Sequence, residues 1–255
     1  MSDLFKQLDE LGHVVLPDAI DRDLLGELND RIDELFAAEG DAAGAEFKQE
    51  HGCRRLANLV NKGDVFARVI TSAAVLPYVA RVLGDYKLSS LNVRSVDPCS
   101  DVRQPLHADM GAIPDERGFW VCNVLWMLQD ITLENGPLRV IPGTHHSKQL
   151  PQHVLANPAA DHPDQVMVTG SAGTIVVMNA HLWHGGMENR STNPRRALHA
   201  FYCRHDKPQQ QYQKTLVDED VQRKLTPELR NLLALDDPAN DRVSRSVTTT
   251  SGFMK

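Results

Sequence analysis

The sequence is short of most features that would assign it to a specialised class. Its four cysteines, Cys53, Cys99, Cys122 and Cys203, are widely scattered with no C-x-x-C pair. That spacing excludes a zinc knuckle or a disulfide framework and leaves reduced thiols, mainly packing residues. Charges interrupt every apolar run before it approaches the ~20 residues that cross a bilayer. Met1 to Glu10 carries acidic residues where a secretory signal needs a basic start and an apolar core. The expectation is a cytoplasmic protein with no membrane segment. Positive charge is also scarce, with 27 Lys and Arg against 34 Asp and Glu and a formal net charge of -7. Nucleic acids and anionic membranes both require concentrated positive charge, so a small molecule is the expected partner. Oligomeric state is not legible in a single chain.

What is present is ordinary for a globular protein: 42% hydrophobic and 24% charged residues over 255 positions. That length suits one well-buried domain over 1–255. Helical apolar spacing runs from Leu4 to Gly40, with Leu24, Leu25, Leu28, Ile32, Leu35 and Phe36 at three- and four-residue steps behind Asp21, an N-cap residue. Asp64 to Leu83 predicts two short helices, with Pro77 in the first turn of the second and Gly84 as its stop. The stretch from Asp41 to Ala57 has no clear assignment.

From Lys87 onward the texture changes to short apolar or alternating runs: Leu88–Val96, Phe119–Leu128, Leu138–Ile141, Gln165–Val168, Thr174–Met178 and Ala197–Cys203. Turn residues separate them, including Glu134-Asn135-Gly136-Pro137 and Ser171-Ala172-Gly173. The expected fold is mainly β with flanking helices, an α+β barrel or sandwich. A mainly helical part over 1–85 precedes a β core over 86–206, and a helical tail follows over 207–255. Helical character returns near Val217–Leu233, before a Ser/Thr-rich end.

Leu106-His107-Ala108-Asp109 sets an imidazole and a carboxylate two residues apart, on one face of an extended segment where both reach a single metal. Alone the pair says little, because His162-Pro163-Asp164 repeats the pattern in a loop-like stretch. A solvated hydrogen-bonded pair would look the same. Further motifs follow: Glu134-Asn135-Gly136-Pro137-Leu138, Ile141-Pro142-Gly143-Thr144-His145 and Ala172-Gly173-Thr174. After them come His184-Gly185-Gly186, Asn189 and Pro194-Arg195-Arg196-Ala197-Leu198. His184 stands 77 positions after His107, and Arg195 stands eleven after His184.

In this order and spacing the motifs closely resemble the phytanoyl-CoA dioxygenase family of iron(II)/2-oxoglutarate-dependent oxygenases. The resemblance implies a double-stranded β-helix, a jelly-roll or cupin-like core with the metal at one open end. It implies Fe(II) held by His107, Asp109 and His184, a set of two imidazoles and one carboxylate that leaves three adjacent coordination positions open. It further implies 2-oxoglutarate as cosubstrate on two of those positions and O2 on the third. The cosubstrate's far carboxylate needs a planar cation, and Arg195 matches the family's position. Arg196 competes, but neighbours on a strand face opposite ways and only one points inward.

The implied reaction is hydroxylation of an unactivated C–H bond, with release of succinate and CO2. Related halogenases carry a small residue where Asp109 stands. Desaturation, cyclisation and epimerisation share the same ligands, and a non-catalytic ligand-binding β-helix protein is the alternative from another class.

Several residues stay open at this level. Arg55, within Arg54-Arg55-Leu56-Ala57-Asn58-Leu59, resembles a family position that faces cosubstrate or substrate, and reads equally as a surface arginine. His181 reads as lying behind the ligands or at the surface. His145 and His146 follow a Pro-Gly turn and are expected to face solvent. His199 is expected in the core or pocket. Either Asn123, Leu125 and Met127 or Cys122, Val124 and Trp126 line the pocket. Met110–Gly118 reads as a lid or as an ordinary surface loop.

Overall fold

The computed structural model describes residues 2–245. Helix α1 (Ser2–Leu11) leads into strand β1 (His13–Leu16) and helix α2 (Arg22–Glu39). The side chain of Asp21 accepts from the backbone N–H of Leu24 at 2.8 Å, the predicted N-cap. Strand β2 (Cys53–Leu56), helices α3 (Val65–Ile70) and α4 (Leu76–Leu83), and strand β3 (Tyr86–Val96) follow. Gly84, at φ 70°, closes α4 with its N–H on the carbonyl of Ala80.

Next come β4 (Val121–Met127), β5 (Leu138–Ile141), the single turn α5 (Pro151–Val154), β6 (Val166–Val168), β7 (Ile175–Asn179), β8 (Trp183–Gly186) and β9 (Arg195–Arg204). The tail holds four short helices, α6 (Gln213–Leu216), α7 (Glu219–Gln222), α8 (Pro227–Leu232) and α9 (Pro238–Ser244). The Ser/Thr-rich end lies outside the described residues.

Two antiparallel sheets form the core: a six-stranded sheet in the order β1-β7-β4-β9-β3-β2 and a three-stranded sheet in the order β6-β5-β8. This is the expected double-stranded β-helix with flanking helices. The region before residue 86 is not only helical, because β1 and β2 join the large sheet, β1 pairing with β7 and β2 with β3. Four-residue strands, β1 inside a helical pattern and β2 in the unassigned stretch, are too short to show a period of their own, and their pairing is non-local. The helical character expected near Val217–Leu233 takes the form of two short helices, α7 and α8.

Alternation decides what each face of the large sheet does. Leu91 and Val93, Cys122, Val124 and Trp126, Ile175 and Val177, and Leu198, Ala200 and Tyr202 pack outward beneath α2, α3 and α4 in one buried cluster. The intervening residues face the small sheet, where Leu125, Met127, Val176, Met178 and Ala197 meet Val140 and Val168. Both sets of β4 side chains are buried except for half-buried Asn123, and the odd-numbered set faces the cavity between the sheets.

All four cysteines are free thiols, three buried and Cys99 exposed. No helix among the described residues is long and apolar enough to cross a membrane.

Candidate active site

The end of the cavity is built where two segments are pinned together. His107 and His184 form an isolated antiparallel bridge, with His107 N–H donating to the His184 carbonyl at 2.9 Å and the reverse bond at 3.0 Å. Arg139 on β5, fully buried, fixes the segment ahead of His107. Its guanidinium donates to the carbonyls of Ala160 at 2.8 Å, Gln104 at 2.9 Å and Pro158 at 3.1 Å. Gly185 allows this approach, since a Cβ there would stand 2.9 Å from the Gln104 carbonyl oxygen and 3.1 Å from that of Pro105.

The ligand tautomers follow from what the other ring nitrogens touch. Nδ1 of His107 donates to the Pro105 carbonyl and Nδ1 of His184 to the Leu182 carbonyl, both at 2.9 Å. Each imidazole thus presents its Nε2 lone pair to the cavity, as a metal-ligating histidine does. The two Nε2 atoms lie 3.6 Å and 3.5 Å from the same oxygen, Oδ1 of Asp109. Neighbouring donors around a small octahedral ion stand about 3 Å apart, so with slight contraction the set could hold such an ion. The extended backbone of Ala108, at φ -99° and ψ 140°, keeps His107 and Asp109 on one face. The second H-x-D, His162 and Asp164, brings no third donor to itself: His107, Asp109 and His184 are the one such cluster among the described residues.

Charge organises the site further. Burial pushes the Asp109 carboxyl up, but the facing imidazoles of His184 and His107 outweigh it and hold it well below the usual range. Burial pushes His184 down, and Asp109 more than offsets this to raise it. Asn123, on β4, donates to the other carboxylate oxygen, Oδ2, at 2.9 Å.

Arg195 opens β9 and is buried with its side chain in the same cavity, whereas Arg196 turns to the other face and pairs with Asp33. Buried Asn189 shapes the loop that delivers Arg195, donating to the carbonyls of Asn193 at 2.8 Å and Asp97 at 3.0 Å. The guanidinium of Arg195 has no hydrogen-bond or ion-pair partner among the described residues, and its Nε is fully buried. Burial, with Arg94 nearby, lowers it to about 10, so it stays charged at neutral pH. Its Nη2 passes 3.9 Å from where a Cβ of Gly186 would be, two residues along β8 from His184.

Arg55 is not a surface arginine. It is buried, lines the cavity and pairs with Glu50 at 2.7 Å. Arg94 on β3 binds the same Glu50 oxygen at 3.0 Å. Neither Glu50 nor Arg94 is signalled by the sequence, since only strand registry brings them to this cavity. Burial pushes the Glu50 carboxyl up, but Arg94 and Arg55 dominate and lower it to about 2. His199 lines the cavity as expected, pushed well below its ordinary value by burial and by Arg94, Arg55 and Arg195.

The remaining histidines sit elsewhere. His181 is buried against Phe119 and Trp120, with Nδ1 on Asn179, and burial lowers it to about 3. His146 is exposed, but His145 is buried, contrary to the expectation from its turn. Its ring packs on Phe119 and its Nε2 donates to the Asp9 carbonyl at 3.1 Å. The turn itself is structural: Thr144 Oγ1 donates to Ile141 at 2.7 Å and accepts from Trp183 N–H at 2.9 Å. Met110–Gly118 is a tethered loop, with Asp115 bound by Arg204 at 2.6 Å and Lys207 at 2.6 Å.

A chain from Aspergillus fumigatus named dioxygenase af480 is 27% identical over 251 residues, covering 92% of this chain and 77% of that one. Iron-bound EctD from S. alaskensis shares the fold at TM-score 0.68 and 21% identity, covering 82% of this chain and 78% of its own. SnoN, a non-haem α-ketoglutarate-dependent epimerase from nogalamycin biosynthesis, does so at TM-score 0.67 and 20% identity, covering 80% and 81%. The family model described as phytanoyl-CoA dioxygenase matches residues 8–197, and the chain belongs to that family of iron(II)/2-oxoglutarate-dependent oxygenases.

Proposed function

We propose that this protein is a cytoplasmic iron(II)- and 2-oxoglutarate-dependent hydroxylase of a small molecule. The observation that carries the reading is one cavity that gathers a convergent donor set and an unpaired cation. Two Nε2 lone pairs and Asp109 Oδ1 converge at one point, and Arg195 presents an unpaired buried guanidinium beside Gly186. An unpaired buried charge costs several kcal/mol, which a dicarboxylate reaching from the metal would offset.

His107, Asp109 and His184 would hold the iron, and Arg195 would hold the far carboxylate of 2-oxoglutarate. The bound iron would supply, with O2 and 2-oxoglutarate, the oxidising power for the reaction, the cosubstrate leaving as succinate and CO2. The chain's own part is positional. The Pro105 and Leu182 carbonyls orient the imidazoles, and Asn123 leaves Asp109 one oxygen for the metal. Leu125, Val176 and Met178 give the cavity an apolar wall that excludes water. Asp109 would take the metal position that related halogenases leave to a halide, which argues against halogenation.

The test is turnover of candidate substrates under 18O2, read as substrate-stimulated succinate together with product mass. A product carrying one labelled oxygen bears out hydroxylation. An epimer of unchanged mass, or a product lighter by two hydrogens, contradicts it and places the chain with the epimerases or desaturases of this chemistry.

A further inference from the structure

The cavity holds more positive charge than the proposed cosubstrate uses. Its walls carry Arg55, Arg94 and Arg195 against Glu50 and Asp109. His107 and His184 are neutral as ligands, and His199 is kept neutral by burial among the arginines. A divalent metal and doubly charged 2-oxoglutarate cancel each other, so the lining groups retain one positive charge; Lys48, which also pairs with Glu50, stands outside the lining with a solvent-screened side chain.

That charge is best assigned to Arg94. It lies on the inner face of β3, opposite Ala197, one inward position beyond the Asn92–His199 pair. Its Glu50 partner is divided among three cations, because Arg55 shares Oε2 at 2.7 Å while Lys48 holds Oε1 at 3.1 Å. The Nε of Arg94 is buried with no partner, and so is Oδ1 of neighbouring Asn92. Asn92 Nδ2 donates to Ser90 Oγ at 3.2 Å, and Ser90 Oγ donates to Gln210 at 2.6 Å, so neutral polar groups continue the wall.

We propose that Arg94 anchors a single anionic group of the substrate, of carboxylate type, so that the enzyme acts on a small organic acid. The inference rests on the iron/2-oxoglutarate reading above. One excess charge matches a monoanion, whereas a polyphosphate-bearing thioester would bring several.

The test uses protein loaded anaerobically with Fe(II) and saturating 2-oxoglutarate, with acetate as probe and acetamide as its neutral isostere. Thermal unfolding should shift upward saturably with acetate and not with acetamide at equal ionic strength. Arg94→Gln should weaken the acetate response at least ten-fold while 2-oxoglutarate affinity, read from the visible charge-transfer band, stays within two-fold. Glu50→Gln should tighten acetate several-fold, an effect of opposite sign that general damage to the fold does not produce. Equal responses to acetate and acetamide in the wild type overturn the proposal. So does loss of 2-oxoglutarate affinity in Arg94→Gln, which would assign that arginine to the cosubstrate. A stronger response to inorganic phosphate than to acetate overturns the carboxylate assignment. Absence of the charge-transfer band in the wild type sinks the underlying reading instead.

Discussion

Asn123 and Asp109 are joined by a 2.9 Å hydrogen bond made to Oδ2, the carboxylate oxygen turned away from His107 and His184. The amide therefore fixes which oxygen faces the metal position. Asn123→Ala should weaken Fe(II) or Co(II) binding by about 10- to 100-fold, the usual effect of removing a group that orients a ligand. Metal titration of the purified variant checks this, and an unchanged affinity contradicts the role.

Arg195 and Arg196 should separate cleanly. Arg195→Gln removes the cavity's unpaired cation and should raise the KM for 2-oxoglutarate by about thirty-fold or more, corresponding to at least ~2 kcal/mol. Arg196→Gln breaks the pair with Asp33 and the guanidinium contact over the Phe36 ring, both outside the cavity, and should move that KM by less than two-fold. Initial-rate kinetics in 2-oxoglutarate compare the two.

Gly185→Ala probes the joint between the two ligand-bearing segments. The new Cβ meets the backbone oxygens of Gln104 and Pro105 at 2.9 and 3.1 Å, and backbone cannot step aside as a side-chain tip can. Urea unfolding should show a loss of about 1–3 kcal/mol, accompanied by weaker metal binding because the displaced segment carries His107.

Glu50 makes stability depend on acid pH. Burial opposes its ionisation, but Arg94 and Arg55 win and lower its carboxyl from 4.5 to about 2. A depressed folded value means the contribution is present above the unfolded value and lost as pH falls through the folded one. The window is thus roughly pH 4.5 down to 2, and the amount is on the order of 3 kcal/mol. Chemical denaturation of wild type and Glu50→Gln should show a stability gap at pH 6 that narrows towards pH 3.

His181 stands three residues before His184 yet lies with Phe119 and Trp120, its Nε2 buried and unpartnered. His181→Phe should retain one metal per chain at wild-type affinity. A drop in stoichiometry, measured by elemental analysis after dialysis, contradicts this.

How far the chain could be read in advance depended on whether its physics was local. The N-cap at Asp21, the stop at Gly84 and the short apolar runs of β4 and β7 are local signals, and the structure carries them where the sequence puts them. Strands β1, β2 and β8 are four residues each and defined by distant partners, so His13–Leu16 disappears inside a helical pattern. The motifs single out His107, Asp109 and His184, which the structure brings together, but the ring tautomers depend on backbone carbonyls that no motif names. Arg94 and Glu50 were invisible because they meet only through the β2–β3 and β3–β9 pairings and the loop ahead of β2. Burial of His145 came from a long-range contact with Asp9, which its Pro-Gly turn does not foretell.

The central claim is that His107, Asp109, His184 and Arg195 form one iron and 2-oxoglutarate site. The direct measurement is the visible absorption spectrum on anaerobic addition of Fe(II) and then 2-oxoglutarate. The account predicts a weak metal-to-ligand charge-transfer band that saturates at one iron per chain, disappears in Asp109→Ala and needs far more 2-oxoglutarate in Arg195→Gln. No band from the intact protein, or a band indifferent to Asp109, would contradict it.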